Sequence, residues 1–210
     1  MRHLASFVDL QKHLARGRSR AGGPYVAPTG DSAMLSRLGW LSDSLLEIGH
    51  ELRAEIPDPL VFLGLLAETV LETAPLISPW DPPEAAIDRL AELQGERLSR
   101  CRHRGSSAWQ RRPAQEHLAC AFWQLAGMYR EVSCEICGAR SDGQLEEHAA
   151  DFANYLLFAA LTSGAWDLTL GGGLLPPGLA RHSRSTAPTS PPDFPALEFP
   201  RVGSKKGGRR

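Results

Sequence analysis

The chain has 210 residues, 42% hydrophobic and 22% charged. That balance is near the globular average and excludes a wholly disordered or fibrous chain, and the length suits one domain with tails. The net charge of −1 hides opposite blocks: residues 31–88 carry 11 acids against Arg37 and Arg53, whereas 1–20, 89–112 and 181–210 are each net basic, so an acidic partner for the basic segments, or their folding back onto the acidic one, is expected.

Residues 1–16 place Leu4, Phe7, Val8 and Leu14 on one side of a short amphipathic helix. Together with the Gly- and Pro-containing stretch that follows, 1–30 reads as a basic N-terminal arm and loop. Asp9, Gln11 and Lys12 interrupt any secretory core, while the near-absence of acids also fits a mitochondrial presequence. A cytoplasmic protein is the main expectation.

From Asp31 or Ser32, Met34, Leu38, Leu41, Leu45, Ile48 and Leu52 recur at steps of four and three. That is a helical seam which needs a partner, and Leu35 and Leu46 widen it. Asp58-Pro59 starts the next helix, with a cap residue followed by Pro at the first helical position. Residues 60–66 are apolar nearly all round and predict a central, buried helix. The longest apolar runs, 60–67 and 155–161, are shorter than the roughly 18 residues of a membrane span, so no span is expected.

Pro75, Pro79, Pro82 and Pro83 punctuate a loop. Asp81-Pro82-Pro83-Glu84 then opens a helix to about Arg102 with Leu90, Leu93 and Leu98 inward. A further helix runs to about Val132 and a last one starts at Ser141 or Asp142. The sequence therefore predicts an all-α antiparallel bundle of about five helices in a 31–170 domain. Residues 171–210, rich in Gly, Pro, Ser and basic groups, predict a disordered tail.

The sharpest chemical motif is Cys134-Glu135-Ile136-Cys137-Gly138, followed by Leu145-Glu146-Glu147-His148. Two thiolates on a tight knuckle and an imidazole on the next helix are three zinc ligands: Cys134, Cys137 and His148. The phrase resembles half of a two-cysteine, two-histidine zinc finger, which implies a small structural zinc site. Phe152 stands where the second histidine of that pattern belongs, leaving Asp151 as the nearest fourth ligand. The same Cys-x-x-Cys pair is also readable as ordinary loop thiols or as a redox pair.

Arg97, Arg100, Arg102, Arg104, Arg111 and Arg112, with Trp109 among them, form a candidate nucleic-acid patch, because arginines contact phosphates and an indole stacks on a base. Glu147-His148 resembles the acidic-His phrase of molybdoenzyme chaperones, which implies an assembly role for a metalloenzyme. The lone Glu47-x-x-His50 and Gly30-Asp31-Ser32 lack the companions that di-iron or serine-hydrolase chemistry needs. The expected function is a non-enzymatic helical interaction or regulatory protein with a protein partner. A metalloenzyme chaperone and a nucleic-acid-binding regulator are the alternatives.

Overall fold

The computed structural model describes residues 2–20, 30–54, 58–101 and 109–166. The described chain is all-α. Its helices are α1 (Arg2–Arg20), α2 (Asp31–Glu51), α3 (Pro59–Ile77), α4 (Pro83–Cys101), α5 (Ala114–Ile136) and α6 (Leu145–Thr162), with a 3-10 turn at Trp109–Arg111 before α5. The expected disordered tail, 171–210, lies outside the described residues.

Two layers of three helices make the bundle. In one layer α3 lies between α2 and α1, and in the other α6 lies between α5 and α4. A middle helix has neighbours on both flanks and across the layer, so it must be apolar on most of its circumference. Helix α3 meets that demand with eleven buried residues, from Phe62 to Leu76. By length and composition it could cross a membrane, and here that apolar circumference is spent on the core. Asp58 caps it by accepting from the N–H groups of Leu60 and Val61.

Three features differ from the sequence reading. Residues 2–20 are a core helix and not an arm: Phe7, Leu10, Gln11 and Leu14 of α1 are buried. Lys12 pairs with Asp88 and Arg16 with Glu84, so the basic charge of α1 lies along the acidic start of α4. Trp166, just past α6, sets its ring 5.9 Å from that of Phe7. Pro75 does not begin a loop but lies buried inside α3, which runs on to Ile77. A proline there removes one backbone bond in the last turn, a loss the packing tolerates. Helix α5 continues past Val132 to Ile136.

The seam of α2 is turned inward. Leu38, Leu41, Leu45 and Ile48 are fully buried, and half-buried Met34 and Leu52 pack against the same core. An ion pair between Arg37 and Glu72 ties α2 to α3. Leu35 and Leu46, expected to widen the stripe, stay partly exposed.

Candidate functional site: the α5–α6 pair and the outer face of α5

Cys134, Cys137 and Gly138 form a helix stop and not a two-stranded knuckle. Gly138 has φ +68°, the left-handed conformation that glycine adopts without strain. The Ala139 N–H donates to the Cys134 carbonyl at 2.8 Å and the Gly138 N–H to the Glu135 carbonyl at 3.3 Å. These two bonds are the Schellman pair that closes a helix C-terminus. Cys134 is therefore on the last turn, half-buried, and Cys137 is the exposed C-cap residue.

His148 lies elsewhere along the pair. Its ring rests against Gly127, with Cε1, Nδ1 and Nε2 between 2.6 and 2.7 Å from the place a Cβ would occupy. Nδ1 and the Gln124 Oε1 are 2.7 Å apart, so Nδ1 carries the proton and donates. Nε2 is buried with no partner among the described residues. From Gly127 to Cys134 is about 10 Å along α5 at 1.5 Å per residue, so the helix register separates the imidazole from the thiols. Asp151, the expected fourth ligand, receives Arg97 at two oxygens. Among the described residues, no three His, Cys, Asp or Glu side chains gather as a metal site.

Sequence reasoning missed the strongest polar centre at this junction, Glu131. It is 3% exposed and lies one turn before Cys134. One of its oxygens accepts from the Ser141 hydroxyl at 2.5 Å and from the N–H groups of Gly143 and Gln144 at 3.1 and 3.4 Å. The other accepts from Arg130 at 3.0 Å. The N-cap residue of α6, Gln144, makes no side-chain cap bond, and Glu131 holds the N–H groups of Gly143 and Gln144 that lead into the helix, placing an anion at its N-terminus from the neighbouring helix. The Ser141 hydroxyl and the Arg130 guanidinium, working against desolvation, hold the carboxyl down to about 2. Ser141 and Asp142, expected as caps, act otherwise: Ser141 donates to Glu131, and Asp142 pairs with Arg130.

Much of the arginine-rich segment is paired within the molecule. Arg97 binds Asp151 and Glu147, Arg100 meets Glu96 and Glu147, and Arg112 meets Glu116. Trp109 stacks on Phe158 with ring centroids 4.7 Å apart. Its carbonyl accepts the Nε2 proton of buried His117 at 2.9 Å. Burial pushes His117 below the ordinary histidine range. Trp109, Arg111, Arg112, Pro113, Leu161 and Thr162 line an open cleft of about 580 Å³ beside this cluster. Arg102 and Arg104 lie outside the described residues.

The outward side of α5 is different. Trp123 is 77% exposed and Phe122 38%, with exposed Ala119, Ala126 and Ser133 along the same side. Arg130 is exposed there too, but is already shared between Glu131 and Asp142. By contrast the exposed positions of α4 include four acids: Glu84 and Asp88, which pair with α1, and Glu92 and Glu96. Compared with protein-family models, curated proteins and solved structures, the chain matches none.

Proposed function

We propose that this protein is a helical interaction module that binds a protein partner through the outer face of α5. The observation that carries the reading is Trp123, an indole 77% exposed in the middle of a 23-residue helix. Isolated surface apolar groups are ordinary. This one has Phe122 beside it and small Ala119 and Ala126 one turn away on either side, so a partner can approach the ring without displacing long charged side chains. Tryptophan is among the residues that most often dominate binding energy at protein interfaces.

The test compares wild type, Trp123→Ala and Trp80→Ala as tagged bait. Trp80 is 81% exposed in the turn between α3 and α4, so both changes remove an exposed indole. One partner recovered in near-equal amount with wild type and Trp80→Ala, and lost with Trp123→Ala, is the expected result. Equal recovery with all three contradicts the reading.

A further inference from the structure

The proposed interaction surface leaves unused the two thiols that end α5. Cys134 and Cys137 are free, the first half-buried and the second exposed. Three residues apart on a helix, their Cα atoms are about 5 Å apart, inside the roughly 4.4–6.8 Å window of disulfides. Helical Cβ atoms at this spacing are about 5–6 Å apart, whereas a disulfide needs roughly 3.5–4.5 Å. Closing the pair therefore requires the last turn to tighten by roughly 1–2 Å. The tightening falls at the C-cap, where Cys137, with φ −86° and ψ 5°, lies outside the regular helix while its N–H still donates to the Ser133 carbonyl at 3.1 Å. Its Sγ also turns back toward the same turn, donating to the Cys134 carbonyl at 3.6 Å. His148 is held over Gly127 and Asp151 by Arg97, so neither is placed to complete a four-ligand zinc site with the thiols.

We propose that Cys134 and Cys137 are a redox pair that exchanges with low-molecular-weight disulfides. The exposed Cys137, as thiolate, attacks one sulfur of a disulfide RSSR and forms a mixed disulfide. The departing thiolate takes up the proton Cys137 gave to solvent. Cys134, likewise deprotonated, attacks the Cys137 sulfur and expels the second thiolate, which is protonated in turn. The two cysteines lose two electrons and two protons, and RSSR becomes two RSH.

The consequence lies in the cap. The Cys134 carbonyl holds both the Ala139 N–H and the Cys137 thiol. Tightening this turn pulls the carbonyl off the Ala139 N–H and loosens the segment 138–144, whose far end rests on Glu131.

The full chain is treated with oxidised glutathione and digested with trypsin without reductant. Arg130 and Arg140 bracket one peptide, 131–140, that contains both cysteines. The proposal expects this peptide two hydrogens lighter, closed to alkylation, and restored by excess reduced glutathione. Cys134→Ser stops at a mixed disulfide on Cys137, while the Cys101→Ser, Cys120→Ser double variant closes like wild type. The Ala139 amide exchanges about tenfold faster in the oxidised chain, the scale of one lost hydrogen bond. Two open thiols, glutathione on both without closure, or pairing with another chain overturns the proposal. So does a purified protein holding one equivalent of zinc that Cys137→Ser releases.

Discussion

The His148 ring on α6 is seated on the backbone of Gly127 on α5, so closely that no side chain fits between them. That contact sets the register of the two helices. Gln124 meets His148 on one side of it, Glu131 reaches the start of α6 on the other, and His117 lies beside Tyr155 and Phe158 farther along.

Gly127→Ala separates two opposed effects. Alanine favours a helix over glycine by about 1 kcal/mol. The added methyl also meets three ring atoms below 3.0 Å, and overpacking costs about 1–3 kcal/mol. The expected result is net destabilisation in urea unfolding. In a His148→Ala background the ring is gone, and the same change becomes stabilising. A stabilising Gly127→Ala in the wild-type background contradicts the packing.

Glu131 gives the protein an acid limb. Its folded pKa is lowered from 4.5 to about 2, so its contribution is present above 4.5 and is lost as pH falls toward 2. Glu131→Gln removes the charge from a carboxylate that serves two amides and a hydroxyl. It should cost about 1–3 kcal/mol near neutral pH and flatten the dependence between those pH values. Urea unfolding at stepped pH reads both effects.

His117 acts at higher pH. Its folded pKa is lowered below 6.5 by burial, so its contribution is present above 6.5 and is lost as pH falls through the folded value. An imidazole carbon resonance followed by NMR should titrate below 6.5 in the native chain. Titration above 6.5 contradicts the burial.

Leu45→Ala tests the inward seam of α2. Leu45 is fully buried, and truncation should cost about 2–5 kcal/mol. A change within about 0.5 kcal/mol, the range of surface substitutions, places that seam outside the core.

Local signals were legible where the chain interacts with its near neighbours. The four-three spacing of Leu38, Leu41, Leu45 and Ile48 marked a buried face, and Asp58-Pro59 marked a helix start. Gly138 is equally legible as a stop signal, whereas the two cysteines before it spell a knuckle that the helix end does not form. Distant partners were not legible. Nothing near Glu131 announces that it binds the backbone of Gly143 and Gln144, just before a helix beginning 14 residues later, at Leu145. The arginines looked available because Glu147 and Asp151, which bind Arg97, are 50 and 54 residues away. Buried Gln11 hid the core role of α1, since polar positions ordinarily mark the solvent side.

The outer face of α5 as a binding surface is tested most directly by a photo-crosslinking residue at position 126, one turn from Trp123 on the exposed side. A second chain carries the same probe at exposed position 85 on α4. In cells, the account predicts one dominant adduct from position 126, absent from position 85 and lost when Trp123→Ala is added. Adducts of the same identity and yield from both positions, or an adduct at 126 that persists without the indole, would contradict it.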